Sequence, residues 1–336
     1  MHVVVGITGD GIGPEIFECA KQVLAATGVP INWEIMPAGE GALPQFGTPL
    51  PNITIEAIHT HRICLKGPLT TPDGKGYTSP NVALRKHFDL YANVRPAELF
   101  PGVQGLVTHP FRVVIFRENV EELYAGTSMC IGEKGNRVAV ATYYVTEAGC
   151  RRIAHAAFRF ARDHGLRNVL VVHKANILKD AHGLFLDVSQ EVAREYPMIR
   201  FAERRADVFP GKFVENPCEH DVLLMPNLFG DIFSDLAAHL AGGLGFASGM
   251  NMGDTHVIFE AVHGTAPDRA GTDSANPVSI ILAGARMLDS LKETKAAERI
   301  WQGVRATAME WAQWSDGSGV KSTRAVTDRI IALMPD

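Results

Sequence analysis

The chain has 336 residues, 46% of them hydrophobic and 21% charged, which excludes a fibrous or disordered class and supplies more than one small core. A formal charge of -5 argues against nucleic-acid binding, yet leaves room for local arginine clusters that hold a small anion. The five cysteines, Cys19, Cys64, Cys130, Cys150 and Cys218, form no C-x-x-C pair, which disfavours a disulfide framework or zinc knuckle and points to a reducing cytoplasm.

At the N-terminus there is no basic stretch or cleavage site, and no apolar run nears the length of a membrane span, so we expect a mature, soluble chain with no membrane partner. The opening HVVVGI, TGDGIGP and EIFECAKQVLAAT reads as buried strand, glycine turn and amphipathic helix. Further strands are predicted at Ile31–Pro37, Arg62–Lys66, Arg112–Arg117, Val138–Val145, Asn168–His173, Asp221–Met225 and His256–Glu260. Helical periodicity falls between many of them, at Thr146–Asp163, Ala181–Glu195 and Phe229–Ala241. Such alternation implies a parallel or mixed sheet covered by helices, the α/β class. The last third, Asn276–Ala283, Ala297–Trp311 and Thr323–Met334, is nearly all helical and must wrap a sheet made earlier, so two packed lobes and a discontinuous large domain are expected. With no repeat and no long Pro/Ser linker, any hinge lies in short connections.

Chemistry-bearing residues follow the strands. In NLFGDIFSD, after the strand DVLLM, Asp231 and Asp235 are four apart and project from one helical face, about 5 to 6 Å apart at Cβ. Two carboxylates that close repel unless a cation or proton lies between them, and oxygen ligands suit Mg²⁺ or Mn²⁺ better than zinc. The plainer reading is acids in a first helical turn, favoured by the helix dipole. Arg85, Arg95 and Arg117 each lie near an element end. Arg95 precedes a proline that forces extended backbone, and Arg117 ends an apolar strand, so both are rigid positions from which to aim a guanidinium. Three convergent arginines would hold a di- or tricarboxylate by bidentate pairs; singly, each reads as a surface arginine.

Lys174 ends the strand VLVVH, where desolvation and neighbouring cations would lower its pKa and make it a proton carrier; a lysine reaching solvent is the alternative. Tyr124, in ENVEELYAG, reads by itself equally as a core or turn tyrosine. No H-x-x-x-H pair occurs, which leaves a zinc hydrolase without support. The loop FEAVHGTAPDRAGTDSANP offers backbone donors, His263 for stacking or hydrogen bonding, and Asp268 for a ribose diol, an acid that would repel a 2′-phosphate. TGDGIGP is not the spaced dinucleotide fingerprint, so a standard Rossmann site is not expected.

Taken in order, GDGIGPE, LRKHFDLYANVRP, RENVEELY, HKAN, NLFGDIFSDLAA, FEAVHGTAPD and ANP resemble the β-decarboxylating dehydrogenases, the family of isocitrate, homoisocitrate, 3-isopropylmalate and tartrate dehydrogenases. The resemblance covers most of the chain and most closely suggests an NAD-dependent isocitrate dehydrogenase. It implies that family's two-domain α/β fold, with 1–98 and 243–336 as a large cofactor-binding domain and 99–242 as a small domain with the dimer interface and metal site. It also implies a homodimer or higher homo-oligomer with shared active sites and a small tricarboxylate substrate. Carried over by position, Arg85, Arg95 and Arg117 match the substrate arginines, and Tyr124 and Lys174 the catalytic pair. Asp231 and Asp235 match metal ligands for Mg²⁺ or Mn²⁺, and Asp207 the aspartate contributed from the other protomer.

Ser79 and Asn81 match the polar pair that isocitrate-type members direct at the extra carboxylate, where isopropylmalate types are apolar; Ser79 capping the helix through Ala83–His87 is the competing role. Asp268 resembles the acid of NAD-type members, although Arg269 beside it is suited to a phosphate. His263, with Gly264, and Asn276 match adenine-contacting positions, and Thr71 and Glu260 lie in segments that approach the cofactor. Several positions depart from the pattern. Val120 replaces the usual threonine and Glu122 a glycine, VFPGKFV follows Asp207, and WSDGSGVKST lacks the usual D-L-G-G. A non-catalytic regulatory subunit is the reading from another class.

Overall fold

The structure is a computed structural model that describes residues 1–72, 77–310 and 322–336. Most of the atypical WSDGSGVKST segment therefore lies outside the described residues. The chain divides into two compact units, one of Met1–Leu90, Pro96–Pro110 and Ala237–Asp336, the other of Tyr91–Arg95 and Phe111–Leu236. Against the expected boundaries, residues 91–95 go with the second unit and 99–110 and 237–242 with the first. The second crossing falls inside strand Ala92–Glu98, between Arg95 and Pro96.

In the first unit the strands run Ile31–Ile35, His2–Ile7, Ile63–Lys66, Val257–Ala261 and Ser248–Met252 in sheet order. The first three pairings are parallel and the last is antiparallel, so the sheet is mixed. Alternate residues of each strand enter different cores. Val4, Leu65 and Phe259 pack in one cluster with the helices Gly13–Ala26, Val278–Ser290, Thr294–Met309 and Thr323–Leu333. Val5, Ile7, Cys64 and Ile258 pack in the other. Burial on both faces explains why HVVVGI reads as a continuous apolar run instead of an alternating one.

In the second unit the sheet order is Arg112–Glu118, Val222–Met225, Asn168–His173 and Arg200–Arg205, all parallel. Helix Glu147–Asp163 begins on Thr146, whose hydroxyl accepts from the Gly149 N–H as an N-cap. Strand Arg200–Arg205, RFAERR, escaped the pattern because it is charged and none of its residues is buried. Ser248–Met252 escaped because SGMNM lacks β-branched residues. Where one strand was expected over Val138–Val145, only Val138–Ala141 is extended, paired antiparallel with Ser128–Ile131 in a separate hairpin whose eight residues are all exposed.

Candidate active site

Strand and helix ends bring five of the predicted residues together in the second unit. Arg117 pairs in register with Met225, two residues before helix Asn227–Leu240, so its side chain lies along the start of that helix. Gly230 makes this approach possible, since a Cβ there would sit 2.5 Å from Arg117 Cγ. Arg117 Nε and Nη2 donate to Asn227 Oδ1 at 3.0 and 2.8 Å, and Nη1 donates to Asp231. The Tyr124 hydroxyl donates to the other Asp231 oxygen at 2.6 Å, with the Arg117 guanidinium 5.0 Å from its ring centroid.

Arg95, held extended before Pro96, sends Nη1 to Ser234 Oγ at 2.8 Å and lies 3.5 Å from Asp231 and 3.4 Å from Asp235. One cationic nitrogen thus reaches both carboxylates, which is the convergence a divalent cation needs. The helix starts at Asn227, so neither acid is in its first turn, and dipole stabilisation does not account for the pair.

Lys174 and Asp207 meet separately in this unit, Nζ to Oδ1 at 2.7 Å. Lys174 was expected among cations at a buried strand end. Instead its neighbour is a carboxylate and its side chain is 25% exposed. The ammonium holds Asp207 below the usual carboxylate range. Asp207 does not join Asp231 and Asp235, and among the described residues no group of three His, Cys, Asp or Glu is placed to hold a metal ion. The divergent VFPGKFV forms most of the short helix Phe209–Glu215, which buries Phe209 against Phe233 of the aspartate helix. Behind the site, Glu118 accepts from the backbone of Val120 and Glu121, yet burial pushes its carboxyl up to about 7.

In the first unit Arg85 and Asn81, both on helix Pro80–His87, line one small pocket with Lys66 and Glu260. Lys66 lies 3.0 Å and Arg85 3.6 Å from Glu260. Glu260, expected near the cofactor, is therefore engaged with two cations and with Asn251 Nδ2 at 2.8 Å. Lys66 was missed; its signal was a lysine closing the apolar strand ICL before Gly-Pro. The Asn81 Oδ1 is buried without a hydrogen-bond partner. Ser79 does cap its helix, accepting from the Val82 N–H at 3.5 Å, and also accepts from the Thr71 hydroxyl at 2.9 Å.

A second cavity of this unit, about 340 Å³, is lined by Ile12, His263, Gly264, Arg269 and Asn276 among others. The size suits part of a nucleotide. Asp268 is exposed and does not line it. His263 Nδ1 lies 3.0 Å from the Gly264 carbonyl and must donate, so in the neutral ring Nε2 is an acceptor; it is buried and unpartnered. Burial holds this imidazole below its ordinary pKa. The glycines of TGDGIGP serve this cavity by close approach. Gly11, at φ 58°, packs so near Thr265 that a Cβ would be 2.0 Å from its carbonyl oxygen, and Ile12 N–H donates to that oxygen. Asp10 accepts from the Thr70 N–H at 2.8 Å.

Comparison with known proteins gives a consistent picture. A family model described as isocitrate/isopropylmalate dehydrogenase matches residues 3–330. A Drosophila melanogaster protein named as the probable alpha chain of a mitochondrial NAD isocitrate dehydrogenase is 42% identical over 304 residues, covering 90% of this chain and 80% of its own. A Dictyostelium discoideum protein, named as a regulatory subunit of the mitochondrial NAD isocitrate dehydrogenase, is 40% identical over 327 residues, covering 97% and 90%. The crystal structure of isocitrate dehydrogenase from Methylococcus capsulatus is 44% identical with a TM-score of 0.95, covering 100% of both chains.

Proposed function

The chain belongs to the isocitrate/isopropylmalate dehydrogenase family, and we propose that it is a catalytic, NAD- and metal-dependent member that oxidises and decarboxylates isocitrate to 2-oxoglutarate and CO₂. The observation that carries this reading is the joint anchoring of Arg95, Arg117 and Tyr124 on Asp231. Arginines for carboxylates, oxygen ligands for a divalent cation and an acid hydroxyl are thereby supplied by one cluster.

Arg85, Arg95 and Arg117 bind the carboxylates of the substrate. Lys174, paired with Asp207, assists removal of the 2-hydroxyl proton as the C2 hydride departs, the proton passing to the Asp207 carboxylate while the ammonium faces the developing C2 oxyanion. NAD would supply the hydride acceptor, and His263, Gly264 and Asn276 would hold its adenine end. Asp231 and Asp235, with Asp207 from a second copy, would hold Mg²⁺ or Mn²⁺, which would supply Lewis-acid polarisation of the C2 oxygen. After CO₂ leaves, Tyr124 donates its hydroxyl proton to the enolate carbon. Since Lys174 and Asp207 are paired on one chain, Lys174 travels with Asp207 when that acid completes a neighbour's site. The exposed hairpin carrying Met129, Ile131, Val138 and Val140 supports such a partnership, because an isolated two-stranded ribbon is marginal without cover.

Isocitrate is favoured over an apolar malate because Asn81 stands beside Arg85 in one pocket, where its amide N–H donors suit a carboxylate and an apolar substituent would leave the amide unpaired. Turnover of isocitrate, homoisocitrate, 3-isopropylmalate and tartrate with NAD or NADP and Mg²⁺ or Mn²⁺ tests all of this. Isocitrate with NAD is expected to give the highest kcat/KM, and a higher value for another acid overturns the substrate. Absence of turnover by the purified chain, with activity on adding a sister subunit, would favour a regulatory role. None of the five cysteines is in a disulfide, which supports a reducing compartment, for which we propose the cytoplasm.

A further inference from the structure

Glu122 stands where the resemblance expects glycine, and it keeps a backbone that glycine would prefer, with φ 66°. Its carboxylate is also buried, at 1% exposure. Both features are unfavourable alone, so the hydrogen bonds it makes must offset them. Oε2 accepts from the Leu228 N–H at 3.0 Å, in the first turn of the helix that carries Asp231 and Asp235, where an anion meets the positive end of the dipole. Oε1 accepts from the Tyr143 hydroxyl at 2.8 Å.

The chain of bonds continues. Tyr143 Oη lies 2.6 Å from His182 Nε2, and His182 Nδ1 accepts from the Lys174 backbone N–H at 2.8 Å. An accepting Nδ1 fixes the tautomer with the proton on Nε2, which therefore donates to Tyr143. Burial, with His173 nearby, lowers His182 to about 4 and keeps this neutral form at ordinary pH. Every bond then points one way, from the Lys174 amide through His182 and Tyr143 to Glu122. At its far end Glu122 opens the short 3-10 turn Glu122–Tyr124 that presents the Tyr124 hydroxyl.

We propose that Glu122, Tyr143 and His182 form a positioning relay that holds the segments bearing Tyr124, Lys174 and Asp231 in mutual register. The proposal rests on the reading of Tyr124 and Lys174 as catalytic residues, Tyr124 in its own chain's site and Lys174 in the neighbour's that it completes with Asp207.

The test uses the full chain with isocitrate, NAD and Mg²⁺. Glu122→Gly suits the local backbone and removes only the side chain, so it is expected to fold. Its kcat should fall about tenfold to a hundredfold, the size expected for small displacements of catalytic groups, with KM for isocitrate and NAD changed by less than about twofold. Tyr143→Phe should show the same split, the double variant should lose no more than the worse single, and Glu122→Gln should recover part of kcat. Unchanged kcat with a lowered Tm, or additive losses in the double variant, would make the three residues merely structural and overturn the relay. If the wild-type chain turns over none of the acids, the functional reading fails and amide exchange decides the relay independently. Glu122→Gly should then speed exchange of the Lys174 amide by at least about tenfold, since its acceptor is loosened; an unchanged rate overturns the proposal.

Discussion

The two units each hold a cluster of acids and cations, and they differ in which partner is open to solvent. In the first, Lys66, Arg85 and Glu260 have side-chain exposures of 3%, 12% and 7%. In the second, Arg117 and Arg95 are 1% and 11% exposed, while Asp231 and Asp235 are 39% and 52%. The buried Glu260 is matched by two cations that offset its desolvation, so it acts as a fixed counter-ion behind Arg85. Asp231 and Asp235 are oriented from behind by buried arginines and keep faces open to solvent, the arrangement of acids that have a ligand to bind.

Changing one member of each cluster should therefore give opposite signatures. Asp231→Asn is expected to lower isocitrate turnover on the order of 10³-fold, the scale of losing one preorganised electrostatic partner, with little change in Tm. Mn²⁺ affinity measured by calorimetry should drop in parallel, and undiminished affinity would remove Asp231 from the metal site. Lys66→Met should act on stability, leaving a buried acid under-compensated at about 3 kcal/mol, read from the denaturant midpoint. A variant as stable as the parent would show that Arg85 and Asn251 suffice for Glu260.

Asn81→Val sharpens the role of the buried cluster in specificity. It should lower kcat/KM for isocitrate and raise it for 3-isopropylmalate, shifting the ratio by roughly a hundredfold or more, because a site built on hydrogen bonds discriminates strongly. An unchanged ratio would locate substrate choice elsewhere. The smallest effect concerns His182, whose pKa is about 4 in the folded chain against an ordinary 6.5. The unfolded chain binds the extra proton first, so stability falls as pH drops from about 6.5 toward 4. His182→Asn should flatten that stretch of the stability profile, and an equal slope in parent and variant would contradict the neutral, buried imidazole.

Much of this was written locally. The Asp231 and Asp235 pair followed from i,i+4 spacing on a helix after an apolar strand, and Arg95 from the proline that extends its backbone. The glycines of TGDGIGP read as a turn, and the close approach of Gly11 to Thr265 came only from the structure. Strands with apolar runs were legible, whereas RFAERR and SGMNM were not, since charge and missing β-branching hid them.

The sequence by itself determined periodicity, turn chemistry and the motif order that identifies the family, because those depend on residues a few positions apart. Only the tertiary structure decided the pairings. Lys66 meets Glu260, Lys174 meets Asp207 where cations were expected, Arg95 spans two acids, and Glu122 reaches Lys174 through Tyr143 and His182. The reason is physical: the free energy of a buried charge depends on which partner the sheet order brings within about 3 Å, and no local pattern in the chain encodes that partner.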